Sequence, residues 1–109
     1  VDTELPVLSN LADSPDPFSP SQSQTTTISY TLSEQSKILL RVYNSSGTLI
    51  RTLLNNSLRP AGSNSVIWNG KNGSNIIVPS GTYNYRLFVE DSSGNRATPY
   101  PATGSVTVL

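Results

Sequence analysis

The side chains in this sequence that could do chemistry are mainly carboxylates. The chain has 109 residues, with 7 acidic and 7 basic residues and neither His nor Cys. It therefore lacks the usual general base at neutral pH, the commonest metal ligand and any Ser-His or Cys-His nucleophile pair. A glycosidase needs two carboxylates about 5–9.5 Å apart across a cleft, and these scattered acids predict none. The sequence indicates a protein that is not an enzyme.

Four of the acidic residues are candidate ligands for a hard cation. Asp13 and Asp16 are close in sequence, and so are Glu90 and Asp91. Calcium takes about six to eight oxygen ligands from carboxylates and carbonyls. We expect instead that Asp16 and Asp91 brace turns, because Asp side chains accept hydrogen bonds from nearby backbone N–H groups. No cofactor or metal is predicted, although a weak calcium site at Asp16 or Asp91 stays open.

Composition limits the classes of partner. Acidic and basic residues cancel, so nothing predicts binding to nucleic acid or to an anionic membrane. No run of about 18 apolar residues predicts membrane insertion, and the N-terminus lacks a basic-then-apolar leader, so we expect a mature segment or an excised domain. Residues 1–109 suit a single domain. A surface rich in Ser, Thr and Asn is typical of extracellular proteins.

Apolar residues alternate with polar ones along most of the chain. Residues 25–32, 37–43 and 105–108 show this period of two, which is typical of half-buried strands. The longest strand is predicted at residues 82–91, with Tyr83, Tyr85, Leu87 and Val89 inward. The pattern predicts an all-β, immunoglobulin-like or fibronectin-III-like sandwich of about seven antiparallel strands in two sheets.

Less regular stretches are expected to connect these strands. Residues 7–11 predict a short first strand at a sheet edge. Three prolines in residues 14–20 predict an extended crossing between the sheets, anchored by Phe18. The apolar residues of 48–54 do not share one parity, so a bulge or a strand buried on both sides is expected. Residues 55–62 are predicted to be a loop.

The stretch from Trp68 to Tyr83 is predicted to join the two sheets. It holds the only Trp of the chain. We expect Trp68 to be a core anchor and Gly70 to adopt positive φ in a turn. Pro79, Gly81 and Tyr83 have the spacing of a tyrosine corner, in which the phenol bonds back to the backbone at a sheet crossover.

Strand parity also predicts an interaction surface. If Ile38, Leu40 and Val42 face the core, the alternate residues of that strand face solvent, and the same holds for the strand containing Tyr83. The resulting exposed patch contains an apolar centre with a charged border. Its predicted members are Leu39, Arg41, Tyr43, Arg86 and Phe88, with Lys37 and Glu90 at the border.

Several short motifs, taken together, resemble the FlgD-like immunoglobulin-like domain, the family named for the flagellar hook-capping protein. They lie in order between residues 16 and 95. They are Asp-Pro-Phe-Ser-Pro at 16–20, Val-Tyr-Asn-Ser-Ser-Gly-Thr-Leu-Ile-Arg at 42–51, Trp-Asn-Gly at 68–70, Pro-Ser-Gly-Thr-Tyr at 79–83 and Asp-Ser-Ser-Gly-Asn at 91–95. The acidic loop and the Trp-Asp-Gly of many members are here Ser-Gln-Ser-Gln at 21–24 and Asn69. Both departures favour a metal-free module.

The resemblance implies a non-catalytic structural spacer or adhesive module of a larger secreted or surface protein, with residues 1–6 as an inter-domain linker. Its partners would be neighbouring domains or another surface protein. One alternative is a carbohydrate-binding module, appended to a secreted hydrolase, that binds polysaccharide through the aromatic residues Tyr43, Phe88 and Tyr100. A second is a hook-cap-like assembly domain, which fold analogy alone supports.

Three Asn-x-Ser triplets match the acceptor motif for N-glycosylation. They begin at Asn44, Asn55 and Asn72, all in predicted turns where a glycan is tolerated. Because such triplets arise by chance in a chain rich in Asn and Ser, we expect no modification, and glycosylation stays open.

Overall fold

The computed structural model describes residues 5–109, so most of the predicted linker lies outside the described residues. The described part contains seven strands and a 3₁₀ turn at Pro20–Gln22. The strands are β1 Leu8–Ser14, β2 Thr26–Leu32, β3 Ser36–Tyr43, β4 Leu49–Arg59, β5 Gly62–Trp68, β6 Gly81–Glu90 and β7 Ala102–Val108. Within residues 5–109 there is no helix long and apolar enough to cross a bilayer.

The strands form two antiparallel sheets. One sheet has the order β1-β2-β5, and the other has the order β4-β3-β6-β7. The chain changes sheet after β2, after β4 and after β5, so sequence neighbours do not always pair. This arrangement confirms the predicted immunoglobulin-like and fibronectin-III-like sandwich.

The core is formed by the inward side chains of both sheets. In β2 every second residue is buried, and the same alternation runs through β3 and β6. This follows because successive side chains of a strand point to opposite faces of the sheet. The predicted inward set of β6, Tyr83, Tyr85, Leu87 and Val89, is confirmed, since each is at most 5% exposed.

The proline-rich segment crosses between the sheets as predicted. Phe18 is fully buried and forms a parallel bridge with Val108 of β7. Its N–H donates to the carbonyl of Thr107 at 3.1 Å, and its carbonyl accepts from the N–H of Leu109 at 3.0 Å. The crossing therefore covers part of the edge of the four-stranded sheet, which would otherwise expose unpaired backbone groups.

The predicted loop at residues 55–62 is wrong. Strand β4 continues to Arg59 and is the longest strand, with 11 residues against 10 in β6. The bulge predicted within residues 48–54 is confirmed, because Leu40 pairs with Leu54 whereas the next residue, Arg41, pairs with Thr52. A further bulge between Leu54 and Ser57 holds Asn56 at φ 52°, a conformation that Asn tolerates. Bulges keep the strand paired where its apolar pattern loses the period of two.

β1 begins and β7 ends at opposite ends of the sandwich. Leu8 pairs with Leu32, whereas Val108 pairs with Gly81, close to Trp68 at the other end of β2. β1 is longer than predicted, running to Ser14 before the prolines end it. The molecule measures 48 × 24 × 20 Å, so the chain enters and leaves at the two ends of an elongated body.

Candidate functional site

The segment between β5 and β6 forms a rigid corner around Trp68. The indole is fully buried, and its Nε1 donates to the carbonyl of Lys71 at 3.0 Å. Its ring meets Phe18 and Tyr83 edge to face, with centroids 5.6 Å apart in each pair. Gly70 has φ 73°, and a Cβ there would overlap the ring of Pro20. The predicted anchors Trp68 and Gly70 thus serve the core.

Tyr83 forms the predicted tyrosine corner. Its Oη donates a 2.6 Å hydrogen bond to the carbonyl of Pro79. Gly81, with φ 152°, starts β6 between these two residues. Burial raises the pKa of the Tyr83 phenol above its ordinary value, so the hydroxyl stays a donor. Pro79, Gly81 and Tyr83 fix the entry of β6 into the sandwich and leave no group for chemistry.

The four carboxylates proposed for a cation do not converge. Within residues 5–109, no three His, Cys, Asp or Glu side chains lie close enough to hold a metal ion. Asp91 is buried, and its Oδ1 accepts from the N–H groups of Ser93 and Asn95 at 3.0 and 2.8 Å. The four carboxylates therefore form no joint cation site in the described part of the chain, and Asp91 braces its turn as expected.

Asp16 does not brace a turn, contrary to our expectation. Its Oδ1 accepts a 3.0 Å hydrogen bond from the N–H of Thr107 in β7, 91 residues away. The proline-rich crossing brings it to this strand edge. Asp16 thus fastens the crossing to the four-stranded sheet, and the chain on either side of it gives no sign of this partner.

Asp13 is the most unusual carboxylate of the described chain. Its Oδ1 accepts a 2.6 Å hydrogen bond from Tyr85, whereas its Oδ2 is buried without a hydrogen-bond partner. Burial raises the pKa of Asp13, the nearby Asp16 raises it further, and the bond from Tyr85 opposes both effects. A raised carboxyl pKa can mark an acid catalyst, but Asp13 lines neither the cleft beside β4 nor the one beside Pro20.

The predicted surface lies on the face of the four-stranded sheet that points away from the core, here called the outer face. Leu39 and Phe88 are direct cross-strand partners and are half-buried. Arg41 and Arg86 are the next pair along the same two strands. The structure therefore brings these four residues together, and the fifth predicted member, Tyr43, lies on the same face in contact with Arg86.

Tyr43 differs from the prediction, because it is only 9% exposed. It lies on the predicted face, but the guanidinium carbon of Arg86 sits 3.9 Å from its ring centroid and covers it. Such stacking of Arg on an aromatic ring is a favourable cation–π contact. Strand parity gave the face correctly, whereas the covering neighbour comes from another strand.

The other aromatic rings of the outer face also contact neighbours, although Tyr100 is 39% exposed. Phe88 meets Tyr100 edge to face with centroids 5.2 Å apart, and Arg96 lies 4.6 Å from the Tyr100 centroid. Glu90 pairs with Arg96 at 3.0 Å and with Lys37 at 3.9 Å. Of the three rings proposed for polysaccharide, Tyr43 is buried, Phe88 is half-buried and Tyr100 is exposed. Arg96 was not singled out from the sequence. Its ion pair with Glu90 holds the loop that follows β6 against the outer face.

A cleft of about 650 Å³ lies beside the edge of β4. Leu49 to Thr52 form one wall and the loop at residues 72–75 forms the other, joined by a 3.0 Å bond from Gly73 N–H to the Ile50 carbonyl. Its lining has no carboxylate, and Arg51 donates to Asn69 at 3.1 Å. The cleft offers neither an acid nor a base for catalysis.

The three Asn-x-Ser positions differ in their surroundings. Asn44 and Asn72 each accept two backbone N–H bonds through Oδ1, which closes their turns. Asn55 lies within β4, so its predicted turn is wrong. Its side chain is exposed. The expectation that these positions are unmodified stays a prediction.

The two-sheet fold and the tyrosine corner formed by Pro79 and Tyr83 together define an immunoglobulin-like sandwich domain. Residues 16–95 match the FlgD Ig-like domain family, and the chain belongs to that family. No curated protein sequence matches the chain significantly. The family assignment confirms the resemblance drawn from the motifs.

Two solved structures share the fold. FlgD from P. aeruginosa is similar, with 28% identity and a TM-score of 0.61, over 78% of this chain and 63% of that protein. PorZ of Porphyromonas gingivalis, described as an essential bacterial surface component of the type-IX secretion system, gives 18% identity and a TM-score of 0.53. That match covers 91% of this chain and 11% of PorZ. The chain spans less than two thirds of either protein.

Proposed function

We propose that the chain is a non-catalytic structural module of an extracellular or cell-surface protein, and that it spaces the domains beside it. The observation that carries this is the position of β1 and β7. The chain enters at one end and leaves at the other end of a body 48 Å long. Modules connected in this way align end to end, so each one adds its length to the array.

The engagement of the polar side chains supports a structural role. Asp16, Tyr83 and Asp91 each bond to the backbone and fasten a crossing, a corner or a turn. The cleft beside β4 has no carboxylate. Catalysis needs an acid, base or nucleophile within reach of a bound substrate, and no carboxylate, lysine or serine lines this cleft beside β4.

The outer face supports contact with a neighbour. Leu39 and Phe88 form an apolar centre bordered by charged side chains, as at many protein interfaces. A weakly charged surface rich in Ser, Thr and Asn is in keeping with an extracellular site. The sandwich shared with PorZ, itself a surface component, agrees with that placement.

A module swap in the full-length protein tests the proposal. Residues 5–109 would be replaced by an unrelated sandwich domain of equal length whose ends also lie at opposite poles. The swap should keep surface display, the spacing of the flanking domains and any enzymatic activity of the parent, whereas deletion should shorten the spacing. Loss of enzymatic activity in a displayed swap would show that the domain supplies chemistry.

A second candidate is a hook-cap-like assembly role, favoured by the 28% identity to FlgD over 78% of this chain. Grafting this chain in place of the matching domain of that FlgD would test it. Restored flagellar hook assembly would support the role. A stable, exported chimera that fails to assemble hooks would contradict it.

A further inference from the structure

The outer face carries two arginines whose charge the described chain does not balance. Arg41 of β3 and Arg86 of β6 are direct cross-strand partners, and we call them the arginine pair. Like charges directly opposite each other destabilise a sheet. Glu90, the carboxylate on the same face, pairs with Lys37 and Arg96 instead.

The two guanidinium groups of the arginine pair differ in their surroundings. Nε of Arg41 is shielded from solvent and has no hydrogen-bond partner. Arg86 stacks on the buried ring of Tyr43, which holds its guanidinium at 3.9 Å from the ring centroid. The guanidinium of Arg86 is therefore held at a fixed position on the outer face.

The surrounding residues extend this row of donors. Across the four strands, Thr52 lies beside Arg41, and Thr103 lies beside Arg86. Both threonines are exposed. The row contains hydroxyls and guanidiniums but no acid, so it is complementary to an anion. A guanidinium holds a carboxylate through two parallel N–H bonds.

We infer that the arginine pair is a docking site for an acidic side chain of a partner protein. Its Asp or Glu carboxylate would accept from Arg41 and Arg86, and apolar residues beside it would cover Leu39 and Phe88. This rests on the proposed structural role, since it names the chemistry of the neighbour that the outer face contacts.

A protein partner fits this surface better than an acidic polysaccharide does. On this surface the ring of Tyr43 is covered by Arg86, and Tyr100 contacts both Arg96 and Phe88. Arginine and aromatic residues around an apolar centre are typical of protein interface hot spots. Nucleic acid is disfavoured because acidic and basic residues cancel over the chain.

The test uses this chain and two blocked peptides, one alternating Glu with Leu and one with Gln in place of each Glu. NMR would follow the Nε–H resonances of Arg41 and Arg86 during titration. The Glu peptide should shift both resonances saturably, and the Gln peptide should not. Arg41→Gln and Arg86→Gln should each weaken binding by about tenfold.

Lys71→Gln is the matched control, because it removes one positive charge away from the outer face, and it should bind the Glu peptide like the wild type. Arg41→Lys keeps the charge but loses the paired N–H donors, so it should also bind more weakly. If either Gln variant fails to fold, binding by Arg41→Lys and binding of the Gln peptide still test the docking site.

Equal binding of both peptides would overturn the inference, as would no binding or shifts confined to other residues. Oligogalacturonate shifting the arginine pair while the Glu peptide does not would also overturn it, in favour of a polysaccharide. None of these results would change the expected outcome of the module swap. A failed swap combined with peptide binding would remove the spacer role and keep the docking site.

Discussion

Tyr85 donates a 2.6 Å hydrogen bond to Oδ1 of Asp13, and this bond joins the two sheets. The residues are 72 positions apart, in β6 and β1. The Tyr85 ring lies over Gly104 of β7, where a Cβ would overlap it. The aromatic ring, the glycine and the carboxylate thus form one unit at the side where β1 approaches β7.

The bond itself can be tested by removing the phenol hydroxyl. Tyr85→Phe should lower the free energy of unfolding at pH 7 by about 1.5–3 kcal/mol, because it leaves a shielded carboxylate without its donor. Urea denaturation would measure this. Introduced into an Asp13→Ala background, the same change should cost much less, and equal costs in both backgrounds would show that the two residues do not interact.

Asp13 should make stability depend on pH in a definite direction. Its folded-state pKa lies above the ordinary value of 3.8, so the folded protein binds this proton more tightly than the unfolded chain does. The stability that it contributes is therefore fully present below pH 3.8 and is lost as the pH rises through the folded-state pKa.

Asp13→Asn removes that titration while keeping an acceptor for Tyr85. The variant should match the wild type at low pH and exceed its unfolding free energy at pH 7. Denaturation midpoints of both proteins across this range would show the difference. A variant less stable than the wild type at pH 7 would mean that the charged form of Asp13 is favoured by the fold.

Gly104→Ala should be strongly destabilising although it adds one methyl group. Its Cβ would overlap the Tyr85 ring, which cannot move without losing the bond to Asp13. Overpacking of this kind costs about 1–3 kcal/mol. Gly73→Ala is the matched control, since the atom nearest to its new Cβ is the Ile50 carbonyl oxygen at 3.9 Å. Similar denaturation midpoints for the two variants would contradict the close approach.

Trp68→Ala should be among the most damaging single changes. It would remove a fully buried indole together with two ring contacts, at a cost of about 3–5 kcal/mol. The neighbouring Ile67 is 61% exposed, so Ile67→Ala should change stability little. A near-wild-type midpoint for Trp68→Ala would show that the corner does not depend on the indole.

Calcium should not stabilise the domain. Asp16 and Asp91 already accept backbone N–H bonds in different parts of the sandwich. A ligand that binds only the folded state raises its melting temperature by mass action. Thermal unfolding with millimolar calcium and with chelator should therefore agree. A rise of more than a few degrees with calcium would contradict this.

The sequence by itself determined the architecture and the corner. The period of two predicted the inward residues of β2, β3 and β6, because only one face of each strand can be buried. The spacing of Trp68, Pro79 and Tyr83 predicted the corner, because its bonds are local. The resemblance over residues 16–95 gave the family.

Only the tertiary structure decided which side chains meet across strands. Tyr43 is covered by Arg86 from the adjacent strand, and Asp13 is reached by Tyr85 from the other sheet. A period of two gives a face but no neighbour, because the partner of each residue depends on register and sheet order. For the same reason, only long-range strand pairing decided that β4 extends to Arg59 and that Arg41 lies beside Arg86.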